Sequence, residues 1–166
     1  MHAIGIRVST KRKDPQGKVY FAVIKYDDTG FNLIKTAYIN IPVSFEVPEQ
    51  LAFIRTNLLA IIREFRIKYA GLRVAEGSAN TQISYRKNIE GVIQELFANS
   101  NVEAYDLLLI NKFSRIFDAK PNEIKNYIEG NKSFADIQED EWKKYSKEIR
   151  ECILAGLSVV SWEEIA

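Results

Sequence analysis

Apolar residues alternate with polar ones over the first forty positions and then recur at every third or fourth, and that change of period divides the chain. Ala3 to Ser9 predicts a first strand, followed by the charge and turn formers Lys11-Arg12-Lys13-Asp14-Pro15-Gln16-Gly17. Lys18 to Tyr26 alternates loosely as a second strand, Asp27-Asp28-Thr29-Gly30 is a turn, and Phe31 to Ile41 makes a third strand. Joined by short turns, the three form an antiparallel meander. Behind Pro48, residues Leu51, Ile54, Leu58, Ile61 and Phe65 follow helical spacing and predict a long helix ending near Tyr69 to Gly71. Leu72 to Ala75 then reads as a fourth strand that carries Glu76 into the small-residue loop Gly77 to Gln82. A second helix is expected from about Ser84 to Phe97, with Ile89, Val92, Ile93 and Leu96 inward and Gly91 allowing close approach to the sheet. A short fifth strand near Val102 to Tyr105 precedes a helix through Lys112, Phe113, Ile116 and Phe117, and the run Leu107 to Ile110 between them suits either period. A small helix at Asn122 to Glu129, an acidic patch at Asp136 to Glu141 and a last helix from about Trp142 to Val160 complete the chain. No internal repeat or low-complexity tract stands out.

A meander followed by β-α-β-α units implies an α/β fold, a mixed sheet with helices on its faces. At 166 residues and 46% hydrophobic content the chain suits one domain with a real core, and 27% charged residues argue against global disorder. The start, MHAIGIRVSTKRK, has too few apolar residues for a signal peptide or membrane span, so the expectation is a cytoplasmic protein without a membrane. One cysteine, Cys152, excludes an internal disulfide, and one histidine, His2, excludes His/Cys zinc sites and a Ser-His-Asp triad. The net charge of +1 hides an asymmetry, 17 Lys+Arg against 12 Asp+Glu in residues 1–120 and 6 against 10 in residues 121–166. The basic excess is modest for a protein that binds a polyanion.

The order of elements, with AIGI in the first strand, LRVAEG at the fourth and EIRECILAGL in the last helix, resembles the RNase H-like superfamily and within it the RuvC-type Holliday junction resolvases. The resemblance spans nearly the whole chain and implies a mixed five-stranded sheet, a three-stranded meander plus parallel strands, flanked by helices. It further implies two magnesium or manganese ions, held by carboxylates from the first strand, the end of the fourth and the last helix, that activate water and stabilise the leaving oxygen at a phosphodiester. On that pattern Glu76 matches the fourth-strand carboxylate, and Glu148 and Glu151, three apart on one helical face, match the acidic pair of the last helix. The first strand departs from it: where such enzymes place Asp after Gly-Ile, this chain has Arg7 in Gly5-Ile6-Arg7. A permanent cation there is expected to pair with Glu76 or Glu148 and to cripple a two-metal site. The implied protein is a degenerate nuclease whose remnant carboxylates Glu76, Glu148 and Glu151 ligate metal only if a rearranged site is active.

The same residues also carry ordinary structural readings. Glu76 suits a solvated strand end, Glu148 and Glu151 suit outer-face partners of Lys144 and Lys147, and Cys152 falls in an apolar stripe as a core thiol. Candidate phosphate contacts are Lys11, Arg12 and Lys13 after the first strand, Arg86 and Lys87 at the start of the second helix, and Lys112 and Arg115 beyond. The resemblance places Arg86 and Lys87 nearest a DNA path. No base-reading motif stands out, so binding of branched or duplex nucleic acid would follow shape and backbone. The resemblance also suggests a homodimer. If the fold serves only as an interaction scaffold, a protein partner would meet residues 136–141 and Trp162-Glu163-Glu164.

Overall fold

The computed structural model describes residues 1–11, 14–77 and 81–165, with the backbone alone for 11, 14–16, 81–83 and 161–165. Strict alternation along β1 (His2–Lys11) sorts its side chains by face: Ile4, Ile6 and Val8 enter one core, while Ala3, Gly5 and Arg7 face the other way. β2 (Asp14–Asp27) and β3 (Gly30–Asn40) continue from β1 as the expected antiparallel meander. The sheet order is β3-β2-β1-β4-β5, with β4 (Tyr69–Arg73) and β5 (Ala104–Leu108) running parallel to β1. This is the mixed five-stranded sheet, flanked by helices, that the sequence implied.

Helices cover both faces. α1 (Val47–Glu64) and α2 (Thr81–Ala98) close a core in which Ile54, Leu58, Ile62, Ile89 and Ile93 meet Ile4, Ile6 and Val8. α3 (Ile110–Ile116), α4 (Pro121–Glu129) and α5 (Glu139–Lys144) pack around α6 (Lys147–Ile165) on the opposite face. Helix α6 is buried on every side from Glu148 to Val160, because it lies between the sheet and this helical layer. It comes unusually close to the strands: a Cβ on Gly5 would stand 1.8 Å from the Cys152 carbonyl oxygen, and one on Gly71 2.3 Å from that of Ala155. Among the described residues no helix is long and apolar enough to cross a membrane.

Four boundaries differ from the sequence reading, each for a local reason. α1 stops at Glu64, where Arg66 turns the chain at φ 51. Tyr69-Ala70-Gly71, poor in strand formers, is nevertheless strand, because it pairs with Ala3-Ile4-Gly5. β4 therefore ends at Arg73, and Glu76 lies three residues past it. Leu107 and Leu108 belong to β5 rather than to a helix, since they pair with Leu72 and Arg73. The last helix is two: Tyr145 is extended, and the Ser146 hydroxyl accepts the Ile149 N–H at 3.2 Å to start α6. Gly91 also departs from expectation, for it faces open space on α2 rather than the sheet.

Candidate functional site

Two strands carry the same four-residue pattern, Gly5-Ile6-Arg7-Val8 on β1 and Gly71-Leu72-Arg73-Val74 at the end of β4. The strands are parallel neighbours in matching register, Gly5 beside Gly71, Ile6 beside Leu72 and Arg7 beside Arg73. Each glycine clears space for α6, each aliphatic residue enters the α1–α2 core, and each arginine emerges on the α6 face two residues later. Glu151 meets both guanidiniums there. Its Oε2 accepts Arg7 Nε at 2.9 Å and Arg73 Nε at 3.1 Å, and the three side chains are only 15%, 8% and 4% exposed. Two cations thus share one buried carboxylate.

A second ring of groups surrounds this pair. Arg73 Nη1 donates to the Val74 carbonyl at 2.7 Å and the Leu108 carbonyl at 3.3 Å, and lies 3.2 Å from Glu76 Oε1. Glu76 is half exposed and accepts the Ile110 N–H at 2.9 Å. From α2, Arg86 donates through Nε to Glu90 at 3.0 Å and through Nη2 to the Arg73 carbonyl at 3.3 Å. Glu90 in turn accepts the Ala75 N–H at 3.1 Å and so fastens the chain leaving β4. Burial pushes the Glu90 carboxyl above its ordinary range while Arg86 pulls it back. Burial lowers Arg86, Glu90 opposes that, and the neighbouring charge of Arg7 adds to the lowering. Arg73 Nη2 and Arg86 Nη1 donate to no acceptor among the described residues.

Arg7 therefore pairs with Glu151, and the arginine beside Glu76 is Arg73. Glu148 is buried one turn before Glu151. The outer-face reading of the helical pair does not hold, since Glu151 is interior and Lys147 bridges to Glu129 at 2.7 Å instead. Arg86 belongs to the site but is engaged with Glu90, Lys112 is bonded to Asp106, and Lys87 and Arg115 are exposed. The side chain of Lys11, and Arg12 and Lys13 entirely, lie outside the described residues. So do the side chains of Trp162, Glu163 and Glu164. Asp27 and Asp28 sit at the β2–β3 turn, at the opposite end of the sheet from Arg7. Cys152 is a buried thiol that burial pushes well up, as a core residue should be.

Sequence reasoning missed Arg73 and Glu90. The signal for Arg73 was the recurrence of Gly-aliphatic-Arg-Val, and for Glu90 an acid set beside Ile89 and four residues after Arg86.

The groups present do not suit a hard divalent cation. Such an ion needs several oxygen ligands, yet the oxygen that Glu151 presents here is taken by two guanidiniums and Glu76 is turned to Arg73 and Ile110. Among the described residues no three of His, Cys, Asp or Glu come together to hold a metal. What the arrangement offers instead is guanidinium and backbone N–H donors, the chemistry of an anion.

No protein-family model matches the sequence, and no curated protein matches it. Solved structures do. Thermus thermophilus RuvC in complex with a Holliday junction substrate superposes with a TM-score of 0.68 at 10% identity, covering 100% of this chain and 97% of that one. A second structure of T. thermophilus RuvC gives 0.65 at 11% identity, with the same coverage. The fowlpox virus resolvase with substrate Holliday junction DNA gives 0.53 at 16% identity, covering both chains completely. The architecture of this chain is thus the RNase H-like fold of these resolvases.

Proposed function

We propose that this chain is a nucleic-acid-binding domain of RuvC-like architecture that holds the backbone of branched or duplex nucleic acid and has lost two-metal cleavage. The observation that carries the reading is the pairing of Arg7 and Arg73 with Glu151: a guanidinium fills the first-strand position where the resemblance calls for a metal-bridging carboxylate, and a second one shares its acidic partner on the last helix. The shared fold supports the substrate class, because both the RuvC and the fowlpox structures hold junction DNA. Magnesium or manganese belongs only to the alternative in which a rearranged site still cuts. The scaffold reading has support of its own, since Asp136, Glu139, Asp140 and Glu141 are all exposed beside a groove at the β2–β3 turn.

Labelled four-way junction, duplex and single-stranded DNA, titrated with EDTA and then with Mn²⁺, test the proposal. The expected result is junction or duplex binding that weakens with salt, persists in EDTA and yields no product. Metal-dependent cleavage abolished by Glu76→Gln would overturn it, and no binding at low salt would leave the scaffold.

A further inference from the structure

Four side chains stand in one row across the sheet. Tyr38 on β3 is the register partner of Tyr20 on β2, Tyr20 of Arg7 on β1, and Arg7 of Arg73 on β4. Residues paired in this way share a face, here the one that α6 covers at Arg7 and Arg73. The helical layer does not bury the whole row. Phe31 and Leu33, early in β3, pack against the core beneath it, as Tyr20 does, whereas Tyr38 is 50% exposed. The Tyr38 ring lies against Tyr20 with centroids 5.5 Å apart, and Lys18 Nζ stands 4.9 Å over it.

A cross-strand aromatic pair stabilises a sheet whether or not anything binds it, so the pair alone implies no ligand. The surroundings of Tyr38 supply the second observation. Along and across the two strands, the side chains that accompany it to the surface on this face are Thr36, Asn40 and Lys18. None is aliphatic, so a partner protein would find little to bury there. The segments Lys18–Tyr26 and Gly30–Asn40 hold Lys18, Lys25 and Lys35 and neither Asp nor Glu, in a chain whose net charge is only +1. A half-open aromatic ring beside an ammonium, in a ribbon free of carboxylates, matches a planar group attached to an anion. A nucleotide has that chemistry, its base stacking on the ring and its phosphate meeting the cation.

We infer that Tyr38 is the stacking surface for an unpaired nucleotide base and that Lys18 meets the adjoining phosphate. The inference rests on the proposed function for its ligand class, nucleic acid. It adds a part of the substrate that a continuous duplex does not offer, because duplex bases are stacked on one another. Stacking tolerates any base, in keeping with a chain that has no base-reading motif.

The experiment measures binding of a single-stranded oligonucleotide, a duplex and a four-way junction, in EDTA, to wild type, Tyr38→Leu, Tyr38→Phe, Lys18→Gln and Tyr105→Leu. Tyr38→Leu keeps an apolar side chain on the strand and removes the ring, whereas Tyr38→Phe restores the ring without the hydroxyl. Tyr105, 47% exposed and packed against Phe97 on the other face of the sheet, is the control for loss of a surface aromatic. Tyr38→Leu should weaken single-strand binding roughly tenfold, the loss of stacking on one base, while Tyr38→Phe and Tyr105→Leu stay within about twofold of wild type. Duplex binding should stay within about twofold in every Tyr38 variant, and Lys18→Gln should lower the single-strand salt slope by about 0.7. Single-strand binding unchanged in Tyr38→Leu, an equal loss in Tyr38→Phe or Tyr105→Leu, or an equal loss for duplex overturns the inference and leaves the proposed function standing. Single-strand binding that needs the Tyr38 ring, with no binding of duplex or junction, upholds the inference and defeats the branched or duplex substrate. No binding of any of the three by wild type overturns both.

Discussion

Each charged group around Arg7 is held by one of opposite sign, so a single neutral substitution strands its partner. Glu151 is the sharpest case, because its removal takes away the buried carboxylate that Arg7 and Arg73 share and leaves Arg73 with the half-exposed Glu76. Breaking a buried pair costs about 3–5 kcal/mol, and Glu151→Gln is expected at the lower end of that range in urea unfolding, as the amide oxygen can still accept one Nε–H. Glu90 gives a pH signature. Its folded carboxyl is raised above its unfolded value, so its contribution to stability is fully present below the unfolded pKa and is lost as pH rises through the folded one. Wild type should therefore gain stability relative to Glu90→Gln as pH falls from 7 toward 5, measured by urea midpoints at each pH; a difference independent of pH would refute the assignment. Neither residue announces itself equally in the sequence. Glu151 was legible from its spacing to Glu148 and from the helix motif, but Glu90 reads as an ordinary partner of Arg86 until the fold turns that pair inward. Arg73 carries no signal of its own beyond the tetrapeptide around it, which repeats the one around Arg7.

The elements were legible wherever burial on one face imposed a clear period, and misjudged where pairing overrode local preference. The meander of β1, β2 and β3 and the amphipathic α1 follow from alternation and helical spacing alone. The start of β4 does not, for Ala70 and Gly71 are weak strand formers whose place is dictated by β1 on one side and α6 on the other. The glycines make that dependence measurable. Gly5→Ala would drive a methyl into the backbone of α6 and should destabilise by about 3 kcal/mol or more, the upper end for overpacking, because a main-chain carbonyl cannot swing aside. Gly91→Ala, on an exposed helical position with nothing near it, should stabilise by about 0.5–1 kcal/mol through helix propensity alone. Thermal unfolding of the two variants should therefore move in opposite directions, and a neutral Gly5→Ala would mean that α6 does not press on the strands as described.

For the molecule as a whole, charge sets how it can hold a polyanion. Net charge is only +1, and two of the cations that the sequence offered for phosphate, Arg86 and Lys112, are already bonded to Glu90 and Asp106. Lys87 and Arg115 remain exposed. Roughly two phosphates are then contacted, so log K for duplex should fall with log salt at a slope of about −2 and no steeper than about −3, at roughly 0.9 per phosphate. A slope of −6 or beyond would require a wider basic surface than these residues provide and would shift the interface to the Lys11-Arg12-Lys13 segment. The slope should fall by about one unit in Arg115→Gln and stay as it is in Lys112→Gln, since Lys112 is neutralised by Asp106. That contrast separates cations free to meet phosphate from cations already spent on the fold, a distinction that composition cannot make because it depends on which carboxylates the sheet and helices bring alongside.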